Sequence, residues 1–115
     1  MLRNKVYIAP YLGEEDQDGS KVRIFGEAKE YRMSLNSLSG DAELQIFGDK
    51  ISRTVRAIVD IGLMSQIKEN DAAYLYGAEP ADDEDKYCLN RNYHVSKILP
   101  QNVKMALYFE KETGD

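Results

Sequence analysis

Alternation of apolar and polar residues near the C-terminal end most restricts the fold of this chain. In residues 103–110 the sequence VKMALYFE places Val103, Met105, Leu107 and Phe109 at alternate positions. Successive side chains of a strand point to opposite faces, so this pattern predicts a strand with one buried face. A second run rich in β-branched and aromatic residues, 93–99, precedes it across a Pro-Gln-Asn break. The two runs together predict a β-hairpin.

Similar short runs occur upstream and predict a sheet. Residues 5–8, 21–25, 31–35, 43–46, 51–60, 72–76 and 87–90 are expected to be strands, and residues 62–70 hold at most one helical turn. Polar stretches at 13–20, 36–40 and 79–86 are expected to be loops, the first with a tight reversal at Asp18-Gly19. This spacing predicts an all-β fold, a small antiparallel β-barrel or sandwich with at most one short helix.

Composition indicates one domain spanning residues 1–115, with enough apolar residues for a core. The chain has 115 residues, 43% of them hydrophobic, and a net charge of −5. This charge disfavours general binding to phosphate backbones. The sequence has no apolar run long enough for a membrane span and no recognisable signal peptide. A single cysteine excludes an internal disulfide and fits synthesis in the cytoplasm.

Residues that carry catalytic or metal chemistry are sparse, so we expect no enzyme, no cofactor and no metal site. His94 is the one histidine, and a zinc site needs about four ligands. Cys88 lies six residues before it, but no third residue is placed to orient a base. We favour the interpretation that Cys88 is a half-buried side chain and that His94 lies on the polar face of a strand.

Two acidic stretches raise the possibility of a negatively charged surface. Glu14, Glu15 and Asp16 fall in the first predicted loop, and Asp82, Asp83, Glu84 and Asp85 fall in the loop at 79–86. Neither has the spacing of a calcium-binding loop. The simpler interpretation is solvated loops. The functional one is a negative rim that meets a basic partner.

Eight tyrosines and no tryptophan are a second unusual feature. Tyrosines on a sheet can stack on the bases of single-stranded nucleic acid, provided that a basic groove lies beside them. The basic residues of this chain are scattered, so we favour tyrosines at the core edge or at a protein interface.

Three stretches resemble the small head–tail connector proteins of tailed bacteriophages and prophages, which are called head-closure, stopper or adaptor proteins. These stretches are SLSGDAELQIFGDKISRTVRAIVD (37–60), IKENDAAYLYG (67–77) and YHVSKILPQNVKMALYFEK (93–111). The matching features are Gly48 before a strand, Glu69-Asn70-Asp71 opening a strand that ends in glycine, and the terminal hairpin around a proline. The resemblance covers about two-thirds of the chain and includes no catalytic signature.

The resemblance implies a structural β-barrel subunit of the virion neck, synthesised in the host cytoplasm. Such a subunit forms a homo-oligomeric ring below the portal, contacts portal or adaptor and tail-completion proteins, and helps to close the DNA channel without sequence-specific binding. The acidic loops would then face the DNA. Ser37, Leu38, Ser39 and Gly40 are the candidate docking residues, although a plain turn is the simpler interpretation. The alternative function is a small β-barrel binding module for single-stranded nucleic acid or a peptide.

Overall fold

A computed structural model describes residues 4–38, 53–81 and 86–112. These residues are mostly β-structure, with a short 3-10 helix at Ile61–Ser65. The strands are β1 (Asn4–Ala9), β2 (Tyr11–Gln17), β3 (Ser20–Phe25), β4 (Lys29–Met33), β5 (Asn36–Ser37), β6 (Thr54–Asp60), β7 (Ala72–Tyr74), β8 (Tyr93–Gln101) and β9 (Lys104–Lys111). The all-β prediction is confirmed.

Seven strands form one curled antiparallel sheet in the order β4-β1-β7-β8-β9-β6-β5, and β2 and β3 form a separate hairpin. The two outermost strands of the sheet, β4 and β5, are separated by Ser34 and Leu35 alone. Two residues span only about 10 Å, so the opposite edges of the sheet must come close together. The result is a half-barrel in which β4 also lies against β6.

The interior of the half-barrel holds the main hydrophobic core. Its buried side chains come from six strands and the 3-10 region, and they are Val6, Ile8, Met33, Val55, Ala57, Val59, Ile67, Ala73, Leu75, Val95, Met105, Leu107 and Phe109. On β9, Met105, Leu107 and Phe109 point inwards, as the alternation predicts. Ala106 and Tyr108 on the opposite face are buried as well, so β9 is covered on both sides.

A second, smaller core lies on the outer face of β1 and β7. Ala9, Ala72 and Tyr74 pack there against Phe25 and Cys88. Phe25 is the last residue of the hairpin, and its N–H donates to the Lys86 carbonyl at 2.7 Å. The hairpin and residues 86–92 therefore cover a sheet face that would otherwise be exposed.

Tight turns join two pairs of strands, β2 to β3 and β8 to β9. Asp18 and Gly19 have φ of 51° and 87°, the left-handed conformation that Asp-Gly pairs favour in two-residue hairpins. Asn102 adopts φ 52° between β8 and β9. The predicted reversal at Asp18-Gly19 is confirmed.

Four predictions of local structure were wrong. Most of the predicted loop at 13–20 belongs to β2, because its polar residues pair across the hairpin with β3. Asn36 and Ser37 form the short strand β5 rather than a loop. Residues 87–90 are turns rather than a strand, and Val103 lies in the turn with 71% of its surface exposed. The predicted strand at 43–46 lies outside the described residues.

Buried Asp71 connects the start of β2 to the segment before β7. Its carboxylate accepts hydrogen bonds from the backbone N–H groups of Tyr11 and Lys68, both at 2.9 Å. Burial raises the pKa of Asp71 above its usual value, and the two backbone hydrogen bonds oppose that rise. From the sequence alone, Asp71 is expected only to open a strand. No helix in the described ranges is long and apolar enough to cross a membrane.

Candidate interaction surfaces

Three acidic residues of the predicted first loop lie in strand β2, not in a loop. Two of them are opposed by a base across the hairpin: Glu14 is cross-strand to Arg23, and Asp16 to Lys21, with Lys21 Nζ 3.2 Å from Asp16 Oδ1. Opposite charges that face each other across a hairpin stabilise it modestly. The acids therefore belong to a charge-paired face of the hairpin, which explains why so polar a segment forms a strand.

Glu15 points to the other face of the hairpin and contacts residues 86–92. Lys86 Nζ lies 2.9 Å from Glu15 Oε2, and the Tyr87 hydroxyl donates to Oε1 at 2.8 Å. The hydrogen bond from Lys86 and then that from Tyr87 lower the pKa of Glu15. The second acidic stretch, Asp82, Asp83, Glu84 and Asp85, lies outside the described residues, so its position relative to Glu15 stays a prediction.

The candidate docking residues begin at an edge of the sheet. Ser37 is the last residue of β5, is exposed, and pairs with Val55 of β6. Leu38 follows it and is half-buried. Ser39 and Gly40 lie outside the described residues. β5 is the terminal strand of the sheet in the part of the chain that the structure describes, and within that part its outer edge has no strand partner over Asn36 and Ser37.

A groove lies at the seam where β4 meets β6. β5 pairs with Val55 and Arg56, and among the described residues the rest of β6 has a strand neighbour on one side alone. The groove has a volume of about 230 Å³ and is lined by Arg32, Ser34, Val59, Asp60, Leu63 and Lys104. Lys104 Nζ is 3.1 Å from Asp60 Oδ1 across its rim. These residues come from four separate segments, and no motif in the sequence indicates that they meet.

The turn that follows β7 carries an exposed aromatic side chain, Tyr76. Tyr76 has 56% of its surface exposed and φ of 56°, a strained conformation for a non-glycine residue. Its ring packs edge-on against Tyr93, with 6.0 Å between centroids. Burial raises the pKa of Tyr76, and nearby Tyr93 adds to that rise, so the hydroxyl keeps its proton at neutral pH. The predicted strand at 72–76 is too long, because β7 ends at Tyr74 and Tyr76 lies in the turn that follows.

Two of the described tyrosines are too deeply buried to stack on nucleic-acid bases. Tyr74 is fully buried and Tyr108 is 5% exposed, although both lie on outer sheet faces. The remaining ones, apart from Tyr76, are half-buried: Tyr7, Tyr11, Tyr31, Tyr87 and Tyr93. Tyr108 lies between Arg56 and Lys97 in the register of β6, β9 and β8. Arg56, Tyr108 and Lys97 thus form a row of basic and aromatic residues across the sheet, but the ring of Tyr108 is buried.

Cys88 and His94 are part of the structural framework. Cys88 is buried in the second core. His94 Nδ1 lies 3.5 Å from Glu112 Oε1, and Arg91 Nε donates to the same oxygen at 2.7 Å. His94 and then Arg91 lower the pKa of Glu112 to about 2, against the opposing effect of burial. Within the described ranges, no group of three or more His, Cys, Asp or Glu residues is placed to hold a metal ion.

Arg91 was not singled out in the sequence, yet it has the most contacts in this region. Its Nη1 donates to the carbonyls of Tyr87 and Cys88 at 3.0 and 3.3 Å, and its guanidinium lies 5.1 Å from the centroid of the Phe25 ring. Together with the Glu112 contact, these bonds join residues 86–92 to the hairpin and to the C-terminal end of β9.

Comparison with family models, curated protein sequences and solved structures returns no match to this chain.

Proposed function

We propose that this chain is a structural subunit of a tailed-phage neck. In this function it joins the portal side of the head to the tail and helps to close the DNA channel. The observation that carries the proposal is the half-barrel whose strands β4, β5 and β6 have incompletely paired edges within residues 4–38, 53–81 and 86–112. Unpaired strand edges are surfaces on which another chain can add, which an assembly subunit needs and an isolated monomer usually protects.

The chemistry of the described surface supports an assembly role. The groove at the β4–β6 seam, at about 230 Å³, is smaller than the roughly 300–1,000 Å³ of typical small-molecule sites. The described residues also include no candidate metal cluster. A ring subunit needs neither a small-molecule site nor a metal site, because it functions through contacts between chains.

Charge supports a channel through which DNA slides. The net charge of −5 disfavours strong contacts to phosphates. On the hairpin, the bases Lys21 and Arg23 face acids across the strands, so they are partly neutralised as phosphate ligands. DNA would therefore pass without sequence-specific binding. The resemblance of residues 37–60, 67–77 and 93–111 to connector proteins assigns the portal or adaptor and the tail-completion proteins as partners.

The second candidate is a small-barrel binding module for single-stranded nucleic acid or a peptide. The covered rings of Tyr74 and Tyr108 weigh against base stacking. A column of immobilised single-stranded DNA separates the two candidates. Retention that falls steeply as salt rises would favour the nucleic-acid module, since phosphate contacts release counterions. We expect passage without retention at physiological salt.

Electron microscopy of lysates tests the proposed function directly. The strain carrying this gene is compared with the same strain bearing an early stop codon, and with the stop strain complemented by the intact gene. We expect separate mature tails beside heads that have lost their DNA in the stop strain, and joined particles on complementation. Joined, DNA-filled particles in the stop strain would refute a role at the neck.

A further inference from the structure

The turn after β7 holds Tyr76 as a rigid aromatic projection. The Asn92 side chain accepts from the Leu75 N–H and donates to the Leu75 carbonyl, both at 2.9 Å. The Ala78 N–H also donates to the Leu75 carbonyl, at 3.2 Å. The strained backbone of Tyr76 is therefore held from both sides while its ring remains exposed. Pre-ordered aromatic residues of this kind often dominate the energy of protein interfaces.

The groove at the β4–β6 seam has the size and chemistry for one aromatic side chain. Val59 and Leu63 contribute its apolar lining. Arg32 and Lys104 contribute cations, and their side chains are 59% and 56% exposed. A cation over an aromatic face contributes about 0.5–1 kcal/mol at an exposed site. Asp60 adds an exposed carboxylate that can accept a hydrogen bond from a phenol hydroxyl.

The Tyr76 projection and the groove at the β4–β6 seam lie on different sides of the same chain. The groove is bounded by β4 and β6, whereas Tyr76 follows β7, which β1 separates from β4. The Tyr76 ring leans on Tyr93 of β8, on the side of β7 away from β1. Tyr76 is therefore placed to contact the groove of another copy of the chain rather than the groove of its own copy.

We propose that Tyr76 of one copy occupies the groove between β4 and β6 of the next copy. Such a contact joins two different surfaces, and head-to-tail contacts of this type close into rings when the rotation between copies permits. The phenol ring lies on Val59 and Leu63 between the two cations, and its hydroxyl donates to Asp60. This inference rests on the proposed function, because it supplies the contact by which neck subunits form a ring.

Sedimentation equilibrium over a wide concentration range measures this contact in the purified chain. We expect concentration-dependent association that Tyr76→Ala weakens at least about tenfold and Tyr76→Phe weakens less, since the ring remains and only the hydroxyl bond is lost. Leu12→Ala is the control, because Leu12 is 63% exposed on β2 and belongs to neither feature. Equal association of Tyr76→Ala and the unaltered chain would overturn the proposal, as would a monomer at every concentration.

Mixing two defective variants tests the head-to-tail geometry. Tyr76→Ala retains the groove, and the double variant Arg32→Glu/Lys104→Glu retains the projection. Each alone should associate poorly, whereas an equimolar mixture should form dimers and nothing larger, because a single intact contact remains per pair. Thermal melting of both variants verifies that they fold. A mixture no more associated than its components would overturn the head-to-tail contact.

The two proposals fail in different ways. If Tyr76→Ala complements the stop strain fully and associates normally, the ring contact is wrong while the neck function stands. If the stop strain yields joined particles while the purified chain associates through Tyr76, the neck function is wrong and the contact between copies stands.

Discussion

At the scale of single residues, two positions control how the hairpin joins the half-barrel. The Gly26 N–H donates to the Pro10 carbonyl at 2.7 Å, which brings the chain after β3 against the residue between β1 and β2. A Cβ on Gly26 would lie 2.9 Å from Pro10 Cγ, closer than side chains normally approach. Asp71 fixes the same region from the other side through the Tyr11 N–H.

Gly26→Ala should lower the free energy of unfolding by about 1–3 kcal/mol, because the added methyl forces the rigid Pro10 ring to move. Gly62→Ala is the matched control, since nothing lies within 4 Å of a Cβ there. We expect the control to change stability by less than about 0.5 kcal/mol. Urea denaturation of the three proteins checks this. Equal stability of Gly26→Ala and the unaltered chain would contradict the close approach.

Asp71 predicts a specific dependence of stability on pH. Its folded pKa is raised above 3.8, so the folded state binds more protons than the unfolded state between 3.8 and the raised value. The contribution of Asp71 is therefore fully present below 3.8 and declines as pH rises through that window. Asp71→Asn removes the decline and leaves one backbone N–H without its acceptor, at a cost of about 1–3 kcal/mol.

Denaturation at pH 3.5 and pH 7 measures the difference between Asp71→Asn and the unaltered chain. We expect the variant to be less stable at both, with the smaller gap at pH 7. A gap that widens towards pH 7 would reverse the inferred sign.

At the scale of elements, residues 86–92 act as a brace without regular secondary structure. They are held to the hairpin through Glu15 and Phe25, and to the end of β9 through Arg91 and Glu112. A strand was predicted at 87–90, but these residues complete a second core with Cys88 inwards. The Lys86 and Asn92 carbonyls accept hydrogen bonds from the distant N–H groups of Phe25 and Glu112, which local sequence patterns do not encode.

Glu112→Gln should destabilise the protein at neutral pH by about 1 kcal/mol, because a charge-assisted hydrogen bond to Arg91 is lost at a half-buried site. The folded pKa of Glu112 is about 2, below the usual 4.5. Its stabilisation is therefore present above pH 4.5 and is lost as pH falls towards 2. Acid denaturation followed by circular dichroism checks this, with Glu27→Gln, at an exposed carboxylate, as control. A loss for Glu112→Gln that persists unchanged at pH 2 would contradict it.

At the scale of the whole molecule, the half-barrel leaves its seam incompletely paired. β4 and β5 belong to opposite edges of one sheet although only two residues separate them. The chain therefore leaves one edge of the sheet and joins the other, and among residues 4–38, 53–81 and 86–112 the pairing of β6 on that side is limited to Val55 and Arg56. Leu38 lies directly after this crossing and is half-buried.

Leu38→Asp tests the docking residues within the proposed function. An added carboxylate at an interface must be desolvated, so complementation of the stop strain should fall at least about tenfold in joined particles. The purified variant should still fold, because Leu38 lies outside both cores. Leu89→Asp is the control, since Leu89 is 78% exposed in residues 86–92. Full complementation by folded Leu38→Asp would remove this residue from the interface.

The sequence by itself determined the fold class, the terminal hairpin, the strand at Thr54–Asp60 and the turn at Asp18-Gly19. Alternation and Asp-Gly chemistry are local, so they can be seen within a few neighbouring residues. Only the tertiary structure decided that Glu15 and Asp16 pair with Lys86 and Lys21 and that Glu14 lies opposite Arg23. It alone brought the groove residues together, because their proximity follows from the closure of a sheet and not from spacing along the chain.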